Sequence, residues 1–260
     1  VSFAEASEMS IESPKSVCEQ KVLGVTWNKE EDNFVFSFDT LLAASQSLPM
    51  TKRGLLQLIA RFYDPLGLLS PIFVRLRCVF QQVCRSGIAW DDVLSDEQVL
   101  VVRNWLECLK KVGTLEFPRY CLCFEMADVE EVTLVGFSDA SLAAFGSALY
   151  ARVQSKLGVE VNLIASKSRV APLKTQSLPR LELLGCLSLA QLAKLVVSAL
   201  SSVVRIESCR YYSDSTTALC WNKIRRIGSS SLLRKGQGKF VVFRRFRSAC
   251  MLVERTTQQT

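Results

Sequence analysis

Two short segments of the chain have almost the same sequence, and each follows a stretch with strand character. They read Phe-Ser-Asp-Ala-Ser at residues 137–141 and Tyr-Ser-Asp-Ser-Thr at residues 212–216. Each places a carboxylate, Asp139 or Asp214, at the C-terminal end of a predicted strand, where open α/β sheets tend to carry their chemistry. A third carboxylate, Glu182, lies near the start of a long apolar helix predicted between them. Three acids at the ends of three elements form a candidate site for divalent metal ions and phosphodiester chemistry.

The second half of the chain predicts a mixed α/β sheet with helices packed on it. Apolar and alternating runs indicate a meander of three strands, a helix, a fourth strand and the start of another helix. This βββαβα order is typical of an α+β or mixed α/β fold. The corresponding residues are 132–137, 145–153, 161–165, 179–200, 210–213 and 216–223.

The first half predicts a β-hairpin followed by a small helical unit. Two β-rich runs around a polar turn form the hairpin of residues 22–38. Residues 51–112 have helical periodicity, with caps at Thr51 and Ser95. The helices should break at residues 64–67, because Pro65 disfavours helix at Asp64 and lacks a donor. We expect this unit to pack as a module separate from the sheet.

The position of Glu182 on its helix indicates that its side chain points inward. At 100° per residue it shares one side with apolar residues, opposite the polar side of the helix. An inward carboxylate costs several kcal/mol unless it is paired or bound to a metal. The helix dipole, or Arg180 or Lys174, would be an alternative partner. The apolar residues are Cys186, Leu189, Ala193, Val196 and Leu200.

The net charge of +7 is concentrated at the C-terminus. Residues 223–247 contain nine basic and no acidic residues, which leaves −2 for the rest of the chain. Such a run is either a nucleic-acid patch or a solvated tail with incidental charge, and the Ser and Gly breaks within it favour the tail.

Cysteine and histidine usage restricts the other site types. The ten cysteines have no CxxC pair and the chain has no histidine, so no zinc site is expected. A Ser or Cys hydrolase would need a lysine as its base. Free thiols indicate a reducing, intracellular compartment. The most apolar run, residues 183–200, contains Gln191 and Lys194 and is interpreted as a core helix, so we expect no membrane span.

Several longer stretches resemble one family of retroelements. Residues 132–221 resemble a type 1 ribonuclease H domain, with Asp139, Glu182 and Asp214 at its first three acidic positions. Residues 51–53, 58–71, 165–174 and 179–183 are similar to polyproteins of the BEL/Pao class of LTR retrotransposons. They read Thr-Lys-Arg, Leu-Ile-Ala-Arg-Phe-Tyr-Asp-Pro-Leu-Gly-Leu-Leu-Ser-Pro, Ala-Ser-Lys-Ser-Arg-Val-Ala-Pro-Leu-Lys and Pro-Arg-Leu-Glu-Leu.

This resemblance implies a domain order. Residues 1–50 would be the C-terminal end of a reverse transcriptase palm, 51–125 a helical thumb or connection, and 126–222 a truncated ribonuclease H-like domain. Residues 223–260 would be a basic tail, frameshifted or disordered. The first residues look like a cut edge of a longer polyprotein, whose upstream palm and fingers would be partners. No Tyr-x-Asp-Asp motif occurs, so polymerase activity is not expected.

The resemblance also implies an activity: hydrolysis of RNA in RNA–DNA hybrids with two Mg²⁺ or Mn²⁺ ions. Asp139 would bridge both ions, while Glu182 and Asp214 would complete one of them. We expect these three carboxylates within roughly 4–8 Å of one another. Lys167, Arg169 and Lys174 would contact phosphates, although surface solubility explains them equally well. The location would be the cytoplasm or a retroelement particle.

The C-terminal segment departs from the family pattern. The family has a fourth metal-binding Asp and a nearby His, whereas Glu254 is the only acid after Asp214. We therefore expect a weak or inactive nuclease and no stably packed structure over residues 224–260. The alternative is a non-catalytic nucleic-acid-binding or structural remnant.

Overall fold

The computed structural model describes residues 19–22, 25–122, 128–218, 220 and 238–242. The first half contains an antiparallel sheet whose strand order follows the sequence, β1-β2-β3-β4. Strands β2 and β3 form the predicted hairpin, with Trp27 opposite Phe34. Strand β4 returns after the helices to pair with β3. The strands are β1 (Glu19–Val22), β2 (Val25–Asn28), β3 (Asn33–Phe36) and β4 (Leu115–Pro118).

Four helices lie between β3 and β4: α1 (Asp39–Ser47), α2 (Lys52–Ala60), α3 (Ser70–Arg85) and α4 (Asp96–Val112). Both predicted caps are present. Thr51 accepts a hydrogen bond from the Gly54 N–H, and Ser95 forms a capping box with Gln98. The predicted break also occurs, because the Asp64 carboxylate accepts the N–H groups of Leu68 and Leu69 at 2.9 and 2.8 Å.

The second half is a five-stranded mixed sheet of order β7-β6-β5-β8-β9. Strands β5, β6 and β7 are antiparallel, whereas β8 pairs parallel to β5 and β9 parallel to β8. Helix α5 connects β7 to β8, and residue 216 begins a further helix, as predicted. The elements are β5 (Val129–Ala140), β6 (Ala144–Ser155), β7 (Gly158–Val170), α5 (Leu178–Leu200), β8 (Ser208–Ser213) and β9 (Gly238–Val242).

Strand β9 corrects the expectation for residues 224–260. All of residues 238–242 pair with β8, from Cys209 to Ser213, so the sheet does not end at Asp214. The Gly and Ser breaks obscured the short β-prone run of Phe240, Val241 and Val242. Such a run needs only an open sheet edge to pair with, and β8 provides that edge. The rest of the predicted basic tail lies outside the described residues.

Helix α5 packs its predicted inward side on the sheet. Cys186, Leu189 and Ala193 are buried, while Val196 and Leu200 are partly buried. By length and composition alone, α5 would also be long and apolar enough to cross a membrane. Its outer side includes exposed Leu187 and Leu195.

The helical unit shares one core with the first sheet, distinct from the cores of the second sheet, and it also contacts the second sheet. The α2–α3 turn hydrogen-bonds to β7: the Ser166 N–H donates to the Leu66 carbonyl at 2.8 Å, and the Ser166 hydroxyl donates to the Gly67 carbonyl. Helical periodicity in the sequence predicts which residues form the core of the helical unit. It does not predict the contact with β7, because that contact is made by backbone groups, which leave no periodic pattern in the sequence.

Gly67 is the residue that permits this docking. It has φ +71°, and a Cβ there would lie 2.1 Å from the Ser166 carbonyl oxygen. We predict that Gly67→Ala destabilises the protein more than Gly87→Ala. Gly87 has φ +73° with no neighbour within 4 Å, so both variants share a positive-φ cost of about 1–2 kcal/mol. Only Gly67→Ala adds a steric cost, of about 1–3 kcal/mol.

Urea unfolding of the two variants measures the difference. Equal destabilisation would show that the turn and β7 do not approach as closely as described.

Candidate active site

The parallel pairing of β5 and β8 brings the two repeated segments together. Phe137 lies opposite Tyr212, and their rings stack with centroids 5.4 Å apart. Asp139 and Asp214 each follow two residues later, so the shared register places them at the same edge of the sheet, as predicted. Asp139 is still within β5, opposite Gly146 of β6, whereas Asp214 directly follows β8.

The serine before each aspartate is buried beneath helix α5. Ser138 and Ser213 are both at least nine-tenths buried, and both hydrogen-bond the Cys186 thiol; the Ser138 Oγ–Cys186 Sγ distance is 3.5 Å. Gly185 lets the helix come this close, because a Cβ there would lie 3.3 Å from the Asp139 carbonyl oxygen. This small-residue layer fixes α5 over both strand ends. Its sequence signal was the serine repeated before each aspartate.

Glu182 lies one turn before this layer and is partly buried. The Ser215 hydroxyl donates a hydrogen bond to Glu182 Oε2 and accepts one from the Ala218 N–H at 3.1 Å. Glu182 is therefore held at the residue that follows Asp214. Neither Arg180 nor Lys174 forms a salt bridge with it among the described residues. Ser215 was missed in the sequence analysis. The available signal was that the two repeated segments differ at the residue after the aspartate, which is Ala140 in the first and Ser215 in the second.

The Asp139 carboxyl has a raised pKa. Its side chain reaches the surface, but partial desolvation by the surrounding protein disfavours the charged form. The negative charge of Asp214 raises the pKa of Asp139 further, because it repels the charged form. The Ala140 N–H, which donates to Asp139 Oδ1 at 2.7 Å, opposes both effects.

The three carboxylates are suitable ligands for a hard cation, but they are not arranged as a preformed metal-binding group. Carboxylate oxygens are the ligands that Mg²⁺ and Mn²⁺ prefer. Across the described residues, however, no three His, Cys, Asp or Glu side chains are close enough to hold a metal ion. The expected separation of roughly 4–8 Å between the three carboxylates stays a prediction. Glu182 turns to Ser215, and mutual repulsion opposes close approach of ionised carboxylates. Their role as ligands stays a prediction.

The three predicted phosphate contacts lie apart from the acids. Lys167 and Arg169 are on the edge strand β7, separated from β5 by β6, and Lys174 follows β7 in an exposed loop. They therefore belong to the surface of the sheet edge rather than to the acidic site.

Comparison with known proteins identifies a family whose model matches more than half of the chain. Residues 51–215 match the family model described as Pao retrotransposon-like RNaseH-like domain. No curated protein matches.

Among solved structures, a foamy viral protease-reverse transcriptase dRH in complex with double-stranded DNA is 15% identical, with a TM-score of 0.46. The match covers 88% of this chain and 38% of the viral chain. A second foamy viral protease-reverse transcriptase structure with double-stranded DNA has 16% identity and a TM-score of 0.46 over 88% and 45%. LC11-RNase H1 with an RNA/DNA hybrid has 9% identity and a TM-score of 0.28 over 46% and 90%. The chain thus spans less than half the length of the two viral proteins.

The raised pKa of Asp139 predicts that Asp139→Asn stabilises the metal-free protein at pH 7. A carboxyl whose pKa is higher in the folded state costs stability when ionised, and this cost disappears as pH falls below the unfolded-state pKa. The variant's gain in melting temperature should therefore shrink towards about pH 4.

Thermal unfolding in EDTA tests this prediction. Glu130→Gln, at the other end of the same strand, controls for the change in net charge. If Asp139→Asn is less stable than the wild type at pH 7, the ionised Asp139 carboxylate does not destabilise the folded protein.

Proposed function

Because the chain belongs to the Pao retrotransposon-like RNaseH-like domain family, we propose that its second sheet hydrolyses the RNA strand of RNA–DNA hybrids. The observation that carries this proposal is the register of β5 and β8, which joins Asp139 and Asp214 at one sheet edge. Helix α5 adds Glu182 through its bond to Ser215. Acids from two strands and one helix at one edge suit phosphodiester hydrolysis.

Asp139, Glu182 and Asp214 would hold two Mg²⁺ or Mn²⁺ ions. When bound, such ions activate water and stabilise charge on the leaving oxygen. Asp139 lies on the strand between β6 and β8 and would be a metal ligand at the centre of the site. Ser215 keeps Glu182 beside Asp214, and the buried layer around Cys186 keeps the strand ends fixed. Rigid support of this kind is what a catalytic constellation requires.

Cleavage by this chain would be slow. The family resemblance implies a fourth carboxylate, and residues 215–260 contain only Glu254. The second candidate function is therefore binding of hybrids without cleavage.

The first sheet and the helical unit suit the end of a reverse transcriptase palm and its thumb or connection. On this proposal the chain works beside the upstream part of the same polyprotein, in the cytoplasm or a retroelement particle. The seven cysteines among the described residues are all free, in keeping with a reducing compartment.

Cleavage of a labelled RNA–DNA hybrid in Mg²⁺ and in Mn²⁺ tests the activity. We predict slow RNA cleavage, well below the order of 1 per second that is common for enzymes. Asp139→Asn should abolish it, since that residue would contact both ions. Binding of the hybrid without any cleavage would favour the second candidate. Cleavage that survives Asp139→Asn would contradict the proposed site.

A further inference from the structure

Residues 65–90 and 161–181 are among the segments outside the basic C-terminal run that contain cations and no acids. Residues 65–90 include three arginines, and residues 161–181 include two lysines and two arginines. Together they carry +7, although the chain without residues 223–247 has a net charge of −2. Seven positive charges without an acid among them thus lie in two stretches that are about 70 residues apart in sequence.

The fold brings these two stretches together. The C-terminal half of α3 lies along the end of β7 and the loop that follows it. Gln81 Nε2 donates to the Ala171 carbonyl at 2.5 Å, and Arg85 donates to the Leu173 carbonyl at 3.2 Å. The Cys78 thiol lies 3.8 Å from the Ala143 carbonyl, in the turn between β5 and β6. The contact thus extends from the edge strand to the turn that follows Asp139.

The cations at this contact remain available to a ligand. Every salt bridge between described residues joins other side chains. Arg77 and Lys167 line the same cleft, which lies between α3, β7 and the C-terminal half of α5. Arg77 favours the charged form of Asp64 in this cleft, but both oxygens of that carboxylate are already hydrogen-bonded to backbone N–H groups. Arg77, Arg85, Arg169, Lys174 and Arg180 are all exposed.

Their spacing suits a polyanion rather than a single anion. Arg77 and Arg85 are eight residues apart on α3, which corresponds to about 12 Å. Phosphates follow one another at about 3.4 Å of rise along each strand of a duplex, so this length spans several of them. Arginine and lysine side chains on a regular scaffold are the usual contacts to such a backbone.

We propose that these cations form one phosphate-binding surface, the basic junction, which holds the backbone of a nucleic-acid duplex across the helical unit and the second sheet. The basic junction consists of Arg77, Arg85, Lys167, Arg169, Lys174 and Arg180. It rests on the proposed function in that the bound duplex is the hybrid presented to the acidic site. Neither half is complete alone, so binding requires the docking of the Gly67 turn on Ser166.

Binding of a labelled RNA–DNA hybrid in EDTA, measured by anisotropy from 50 to 200 mM salt, tests the surface. Arg85→Gln, Arg169→Gln and Lys174→Gln should each weaken binding and each lower the slope of log K against log salt by about one. Two hybrids of unrelated sequence should give the same slopes, because phosphates carry no sequence information.

Arg103→Gln on α4 is the matched control, since it removes an exposed helical arginine of the same unit away from the contact. It should leave the slope unchanged. Gly67→Ala should weaken binding without removing any charge, whereas Gly87→Ala should not. Slopes that fall equally for Arg85→Gln and Arg103→Gln would overturn the basic junction.

The same samples separate this proposal from the proposed catalysis. If the junction variants lose binding while the wild type does not cleave, the basic junction is supported and the proposed nuclease function is contradicted. If the wild type cleaves while junction variants bind with unchanged salt slopes, the nuclease function stands and the surface fails.

Discussion

The parallel register between β5 and β8, with α5 pressed onto both strands, determines the position of every acid in the candidate site. Small residues make this contact possible. A Cβ on Gly136 would lie 2.6 Å from a methyl group of Leu189, and Gly185 lets the helix backbone approach Asp139. Both buried serine hydroxyls of this layer have partners: Ser138 bonds the Cys186 thiol, and Ser213 accepts the Ser215 N–H at 3.3 Å. A larger side chain in this layer would separate the helix from the strands and Glu182 from the aspartates.

A second close approach gives the chain its overall organisation. The Gly67 turn meets the backbone of Ser166 on the open edge of β7, so the helical unit covers part of an edge that would otherwise be free to pair. This contact also sets α3 beside the loop after β7. The acidic site and the basic junction consequently lie on the same sheet. The acidic site is at the ends of its central strands, and the basic junction is along its edge strand.

Local patterns predicted the parts of this structure that depend on local physics. The β-prone run before Asp139, the periodicity that turns Glu182 inward and the cap at Thr51 each arise from neighbours in sequence. The fifth strand at residues 238–242 was missed because its pairing depends on the open edge of β8, which no local pattern contains. The role of Ser215 was missed for a related reason, since its partner is 33 residues away. Composition located the basic tail, and the family resemblance named Lys167, Arg169 and Lys174 as phosphate contacts. Their proximity to the arginines of α3 arises only on folding.

A crystal structure with Mn²⁺, located by its anomalous scattering, tests most directly whether the strand register builds a metal site. The account predicts a Mn²⁺ ion bound by oxygens of both Asp139 and Asp214, at about 2.0–2.2 Å, with Glu182 turned from Ser215 towards it. A protein saturated with Mn²⁺ that carries no ion between these two aspartates would contradict the account. In that case the paired strand ends would be structural only.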